Sequence, residues 1–444
     1  MQKFKYFMYD KNSLLTYIKD FNLPLGYQDD ISILKEEVDL GDGYTSPNRM
    51  AIHPLEGCDG NFDGSPSELS LRRYKRYARG GAGLIWFEAI AICEESRANP
   101  RQLYITEQNK EEFKKFVDEI RKTRSEVSSK KQVLIAQLTH SGRYSKPNGV
   151  ASPICAYDNV ELRESSGMPE NVFTYATDEY LDTLPDMFVK TALLLKEAGF
   201  DGVDIKACHG YLLGELLSAY EREGKYGGFF ENRIKLLAHS FKKVKEACGD
   251  NFIVTTRLNL FDSYEKTETN PGWGGSINKM DLTEPIKLIG ILKDMGMKVI
   301  NVTMGNPYHN PHINRPYNAG GYTPPEHPLV SLNRLLEGSA HVKQEYPDLI
   351  VVGTGYSWFR QFAPHIAAWE IANNRTDIMG MGRVALAYPD FANDITNHNR
   401  MFPHKVCLSC SLCTKIMRAG RVAGCPVRDQ EVYLPILREV RQNG

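Results

Sequence analysis

Phe200-Asp201-Gly202-Val203-Asp204-Ile205-Lys206-Ala207-Cys208-His209-Gly210-Tyr211 leads into an apolar helix start and then Tyr226-Gly227-Gly228-Phe229-Phe230-Glu231-Asn232-Arg233. Residues 202–206 read as a short strand. Its end releases an ammonium, an imidazole and a phenol within six residues: Lys206, His209 and Tyr211. At the carboxyl end of a parallel strand such groups point into a shared mouth, where α/β folds place their chemistry. The plainer alternative is a satisfied core His and a packed Tyr. Three proton donors on one loop weigh against it.

Working outward, the same strand-then-helix pattern repeats. Apolar runs at 49–54, 83–89, 132–138, 202–206, 252–258, 298–303, 349–353 and 377–382 read as strands. Helical periods follow them at 69–79, 110–125, 180–198, 231–247, 282–295, 331–345, 358–373 and 388–395. Eight such units in series predict an α/β fold, a (β/α)8 TIM barrel. An open doubly wound sheet is the competing fold. It calls for a Gly-x-Gly-x-x-Gly turn after the first strand, where this chain has Leu55-Glu56-Gly57-Cys58-Asp59-Gly60. The long Ser-, Pro-, Gly- and Asn-rich connections at 139–178, 262–278 and 305–328 all follow strands and are expected to cover the mouth. The predicted division is an N-terminal extension (1–46) with a short helix at 11–20, the barrel (47–400) and a C-terminal segment (401–444).

The 444 residues are 42% hydrophobic, enough for one large core. Lys+Arg 54 against Asp+Glu 55 leaves a net charge of -1, so neither nucleic acid nor an anionic membrane surface is an expected partner. No apolar run is long enough to span a bilayer, and residues 1–10 lack the pattern of a signal peptide. A cytoplasmic location is expected.

Each strand end carries candidate groups. The first gives His53, Pro54, Leu55 and Glu56, the second Ala89, the third Gln137, the fifth Arg257 and the sixth Tyr308 and His309. The seventh ends Gly353-Thr354-Gly355 and the eighth Gly380-Met381-Gly382-Arg383. Glycine turns after strands seven and eight, the second opening a helix and carrying an Arg, form a common barrel phosphate site. With Gln137 for a polar ring edge and Arg257 facing an electron-rich ring, the set suits flavin mononucleotide (FMN).

Four of the nine cysteines, Cys407, Cys410, Cys413 and Cys425, fall within nineteen residues, and Pro426 follows the last. Zinc sites usually show two separated pairs. Three close cysteines plus a remote one before Pro point instead to a ferredoxin-type [4Fe–4S] cluster. Zinc or unligated thiols are the alternatives.

These motifs together resemble the Old Yellow Enzyme class of flavin oxidoreductases. The likeness is to its iron–sulfur branch, with 2,4-dienoyl-CoA reductase, bile-acid-inducible reductases and trimethylamine dehydrogenase. Its carriers are Ala78-Arg79-Gly80-Gly81-Ala82-Gly83, Gln137-Leu138-Thr139-His140, His209-Gly210-Tyr211, Tyr226-Gly227-Gly228 and Met381-Gly382-Arg383. The resemblance implies FMN on His53 to Glu56, Ala89, Gln137, Arg257, Gly355, Gly382 and Arg383. It implies Tyr211 as proton donor and a cluster on the four grouped cysteines. Lys206 stands where the family usually has His. The sequence ends at Gly444, where the long relatives continue into FAD- and nicotinamide-binding domains, and this predicts weak turnover with NADH alone.

The expected activity is ene-reduction, with hydride delivered to an enone, enoate or enoyl thioester and Tyr211 supplying the proton. Lys206 and His209 would hold the activating carbonyl, with Tyr308 and His309 as further substrate contacts. The expected partners are a small unsaturated substrate and an external electron donor: ferredoxin, a flavoprotein or NAD(P)H. A setting in anaerobic metabolism fits, and a homo-oligomer is left open. The competing activities are amine or N-methyl dehydrogenation, which a cationic Lys206 disfavours, and non-catalytic electron transfer.

Overall fold

A computed structural model describes residues 10–442 except 266, 268, 269 and 278. Residues 1–9 of the expected extension, Asn278 at the end of one long connection, and residues 443–444 lie outside the described residues.

Eight parallel strands form the barrel: β1 (Met50–Ile52), β2 (Leu84–Ala91), β3 (Val133–Thr139), β4 (Gly202–Ile205), β5, β6 (Val299–Thr303), β7 (Ile350–Gly353) and β8 (Ile378–Met381). Strand β5 comes in two pieces, Ile253–Thr255 and Arg257–Asn259. The first piece pairs with β4 and the second with β6, while β8 pairs back onto β1 through Met379 and Met50. Ala207 N donates to Arg257 O (3.0 Å) and Asn259 N to Ala207 O (3.0 Å), which carries the ring across the break. The break has a local cause. The Asp204 carboxylate takes the Arg257 N–H (2.5 Å), and the Thr256 hydroxyl donates to Ile205 O (2.7 Å). Every residue of β2 and β3 is buried, as expected for parallel strands covered on both faces.

The helices packed around and beside the barrel are α1 (Lys11–Asp20), α2 (Glu68–Gly80), α3 (Lys110–Ser125), α4 (Asp178–Glu197), α5 (Lys235–Cys248), α6 (Thr283–Asp294), α7 (Pro328–Glu345), α8 (Ala363–Ala372) and α9 (Phe391–His398). Four differ from the sequence expectation: the helix expected at 231–247 is divided into Phe230–Arg233 and α5, α7 begins at Pro328 rather than 331, and two more changes follow. Residues 356–362 form a 3-10 turn before α8, interrupted at Arg360 (φ 57°). The last helix starts at Phe391 rather than 388, because Pro389 forces Tyr388 out of helical geometry (φ -147°, ψ 68°).

The segment before β1 is part of the barrel's packing. A hairpin of Val38–Gly41 and Tyr44–Ser46 closes the amino-terminal end of the barrel. Its Val38 and Leu40 pack with Ala51, Leu84, Val133, Ile253, Val299 and Val352. Burial of one such side chain is worth about 1.5–3 kcal/mol. Leu14 and Ile18 of α1 join the larger core outside the strands. The opposite, carboxyl end stays open for chemistry.

The C-terminal segment carries α10 (Leu412–Arg418) and α11 (Gln430–Gln442) around Ile416, Tyr433 and Leu437. Asp429 pairs with Arg72 and Arg76 of α2, and Ala423 N donates to Gly57 O (2.6 Å). The cysteines are thereby brought beside the barrel mouth. Among the described residues, no helix is long and apolar enough to cross a membrane.

Candidate active site

The chain leaves β4 through two successive left-handed residues, His209 (φ 65°) and Gly210 (φ 69°). A Cβ at Gly210 would come within 2.4 Å of Asn306 Nδ2, so the turn requires glycine. The turn places Lys206, His209 and Tyr211 in one cavity of about 150 Å3 at the barrel mouth. Pro54, Leu55, Glu56, Ala89, Gln137, Tyr308 and Arg383 line the same cavity. A larger groove, about 810 Å3, lies around the end of α3 and the hairpin, away from the strand carboxyl ends, and none of the expected site residues lines it.

Tyr211 is 2% exposed. Its hydroxyl meets the Tyr308 hydroxyl at 2.9 Å and Glu56 Oε1 at 3.3 Å. Lys206 Nζ lies 3.4 Å from the centre of the Tyr211 ring, a cation–π contact. Tyr144 stacks on Tyr308 at 3.9 Å, and Asn306 holds the Tyr144 hydroxyl (2.7 Å). Burial, then the neighbouring Glu56 carboxylate, raises Tyr211 well above the ordinary phenol value, so its proton stays on. Burial raises Glu56, against the pull of Lys206. Burial lowers Lys206, with Cys208 and Glu56 acting the other way. His209 is held well below its ordinary value, first by burial and then by Arg257 and Lys206, and is neutral. Asn314 Nδ2 donates to its Nε2 (2.9 Å), which leaves the proton on Nδ1.

Beneath the mouth, Asp204 organises the floor. Its Oδ2 accepts from Gln137 Nε2 (2.6 Å) and Trp86 Nε1 (2.8 Å). Burial pushes the carboxyl up to about 6, against these hydrogen bonds. Gln137 thus spends an N–H inward and keeps its oxygen for the cavity.

Not every expected residue lines the cavity. His53 sits behind it in the barrel wall, 3.2 Å from Gly353 O, 3.0 Å from Thr354 Oγ1 and 3.1 Å from Asn301 Nδ2. Arg257 is buried beside Asp204, and Gly355 and Gly382 lie at the ends of β7 and β8. His309 turns away to Glu161 Oε1 (2.7 Å). Asn314 and Tyr144 were not among the expected residues. Both come from long connections, where no period marks a contact.

The residues present fit a flavin phosphate and ring. Arg257 Nε and Arg383 Nη1 are buried without a hydrogen-bond partner among the described residues. A Cβ at Gly382 would meet nothing within 4 Å, so there is space beside the backbone where the helix Arg383–Ala387 begins. The four grouped cysteines line one small cavity with Arg383, Leu386 and Pro426. All nine cysteines are free thiols, and Ser409 N donates to Cys407 Sγ (3.4 Å). Among the described residues no His, Cys, Asp or Glu set is arranged to hold a single metal ion. Arg383, Leu386 and Cys413 line both this cavity and the larger one at the mouth.

A closed (β/α)8 barrel with this mouth defines the class: the chain belongs to the NADH:flavin oxidoreductase / NADH oxidase family, whose model matches residues 36–401. The family is one of flavin oxidoreductases, with FMN as its cofactor. Among its relatives is an NADH oxidase of Thermoanaerobacter brockii, 24% identical over 380 residues, a match covering 82% of this chain and 51% of that protein. Among solved structures, 2-naphthoyl-CoA reductase superposes with a TM-score of 0.73 at 18% identity, over 93% of this chain and 58% of that one. An old yellow enzyme homologue from Zymomonas mobilis gives 0.60 at 21% identity, over 82% and 92%. The chain thus spans about half the length of the first curated relative it matches.

Proposed function

We propose that this chain is an FMN-dependent ene-reductase acting on an enone, enoate or enoyl thioester. The observation that carries the reading is the shared cavity, in which Lys206, His209 and Tyr211 stand beside Ala89, Gln137 and Glu56. Gln137 and Ala89 would take the polar edge of FMN, His53 to Glu56 its flank, and Arg257, Gly355, Gly382 and Arg383 its phosphate end and ring. Bound there, FMN supplies a hydride to the substrate's β-carbon.

The chain's own groups do the rest. Lys206 and the Nδ1 proton of His209 hold the activating carbonyl oxygen and stabilise the negative charge that grows on it. Tyr211 gives its proton to the α-carbon, which balances the hydride and completes the saturated product. The Tyr308 hydroxyl, in hydrogen-bond contact with Tyr211, is the neighbouring group that would return a proton to it.

In this reading Cys407, Cys410, Cys413 and Cys425 hold a [4Fe–4S] cluster that supplies single electrons from a ferredoxin, flavoprotein or NAD(P)H-dependent donor. Its support is the convergence of the four thiols on one cavity that shares Cys413 with the mouth. The test is anaerobic steady-state reduction, with reduced viologen as donor, of a panel of enones, enoates and enoyl thioesters. A product heavier by two hydrogens supports the reading. Oxidation of tertiary or primary amines with no alkene reduced would replace it with amine dehydrogenation.

A further inference from the structure

Asp204 and Gln137 stand opposite each other on the paired strands β4 and β3. Both are buried, Asp204 completely. The Asp204 carboxylate has three close contacts, and all three come from donors. Gln137 Nε2 (2.6 Å) and Trp86 Nε1 (2.8 Å) meet Oδ2, and the Arg257 N–H (2.5 Å) meets Oδ1. An ionised carboxylate suits that set, because it only accepts. A carboxyl that carries a proton does not. Its O–H needs an acceptor, and neither an indole N–H nor a backbone N–H supplies one. Of the three partners, Gln137 alone can. Its amide has a donor side and an acceptor side, and a half turn about the last side-chain bond exchanges them.

The exchange reaches the mouth, because Gln137 lines the cavity there. With Asp204 ionised, the amide gives an N–H inward and offers its oxygen outward. With Asp204 protonated, the oxygen turns inward to accept the carboxyl proton, and the cavity meets only N–H groups. The polar edge of a flavin ring carries one N–H between two carbonyls. An outward oxygen pairs with that N–H. The reversed amide leaves it unpaired, which is costly in a buried site.

The ionisable groups facing Asp204 are Arg257 on β5 and, just beyond its own strand, Lys206 and Cys208. The two cations favour the carboxylate. Cys208, pushed up to about 12 by burial, is a neutral thiol. Strands β2 and β3 bring only the neutral Trp86 and Gln137 to it. Burial acts against the cations and holds the carboxyl at about 6, so both states lie within an accessible pH range.

We propose that Asp204 is a positioning residue: it fixes the face that Gln137 presents to the flavin, and proton uptake by Asp204 reverses that face and loosens the flavin. The placement of the ring edge against Gln137 rests on the flavin reading. The control of the amide by Asp204 rests on the three hydrogen bonds.

The test is FMN release from the full flavin-loaded chain, read by the fluorescence of free FMN on dilution at pH 7 and at pH 5. It involves no turnover. A carboxyl at about 6 is roughly one-tenth protonated at pH 7 and nine-tenths at pH 5, so this source should raise the FMN dissociation constant about tenfold. The FMN phosphate also changes charge near pH ~6. Wild type is therefore compared with Gln137→Ala and Asp204→Asn, which keep the phosphate contribution and lack the exchange. Both variants should bind FMN without the tenfold component, and the double variant should lose nothing further from it. Wild type against Gln137→Ala decides if Asp204→Asn does not fold.

A tenfold component that survives in Gln137→Ala overturns the proposal and leaves Asp204 as a partner of Trp86 and the β5 break alone. Equal pH dependence in every form, with FMN bound at pH 7, also overturns it and leaves the flavin reading standing. A wild-type chain that holds no FMN at pH 7 overturns both.

Discussion

Replacing Tyr211 by Phe removes one hydroxyl from a side chain that is 2% exposed. The ring keeps its place beside Lys206 and the Tyr144–Tyr308 stack. The hydroxyl makes one good hydrogen bond, 2.9 Å to Tyr308, and one long contact, 3.3 Å to Glu56. Its loss should therefore cost only about 1 kcal/mol of stability. The chemical step loses its general acid, worth ~10²–10⁴ in rate. In anaerobic stopped flow, dithionite-reduced variant mixed with a saturating enone should reoxidise its flavin slower by that factor. Flavin content and the rate of dithionite reduction should match the wild type. Because burial and Glu56 raise Tyr211 well above its ordinary value, the phenol stays protonated through neutral pH. Wild-type reoxidation should therefore show no loss of this proton as pH rises from about 6 to 9. A variant that loses stability yet reoxidises within about threefold of wild type would refute the role of Tyr211, since the general-acid effect lies far outside that margin.

Lys206→Ala should slow alkene reduction by ~10²–10³ with FMN binding intact, because a donor to the growing oxyanion is lost; a normal rate constant per flavin-loaded molecule would show that the ammonium only packs on Tyr211. Asp204 should make the fold more stable at low pH. Its carboxyl lies at about 6 in the fold against an ordinary 3.8, so its favourable contribution is complete below about 4 and lost as pH rises through 6. The rise corresponds to ~3 kcal/mol. Urea titrations of wild type and Asp204→Asn should differ progressively more in favour of the variant from pH 4 to 7, and a pH-independent difference would contradict this. Cys410→Ser should lower the iron content of anaerobically purified protein and leave FMN bound, with wild type holding about four iron and four sulfide per chain; stoichiometric zinc without iron would remove the cluster.

The barrel was legible because parallel strands buried on both faces read as uninterrupted apolar runs, as in β2. The polar groups at the strand ends were legible for the complementary reason: Lys206, His209 and Tyr211 break such a run abruptly. Tertiary effects were not. The division of β5 depends on Asp204 reaching across to the Arg257 N–H, a contact 53 residues apart in sequence. The hairpin that closes the barrel floor is too short to show a period, and only turn glycines at 41 and 43 hint at it. Asn314 reaches His209 from a four-residue helix inside a long connection. Adjacent residues there also diverge, Tyr308 toward Tyr211 and His309 toward Glu161, and sequence proximity does not decide which faces the mouth. The cysteine spacing led to one shared cavity, but spacing does not determine what the four thiols hold there.

The most direct test of the account is a single turnover. Protein loaded with FMN is reduced anaerobically to its endpoint, freed of excess reductant, and mixed with one enone or enoyl thioester while flavin absorbance and product are followed together. The account predicts flavin reoxidation at the rate of product formation, with saturated product equal to the two-electron equivalents released. Reduced flavin that persists with every unsaturated probe, while the oxidised protein is bleached by an amine, would contradict it.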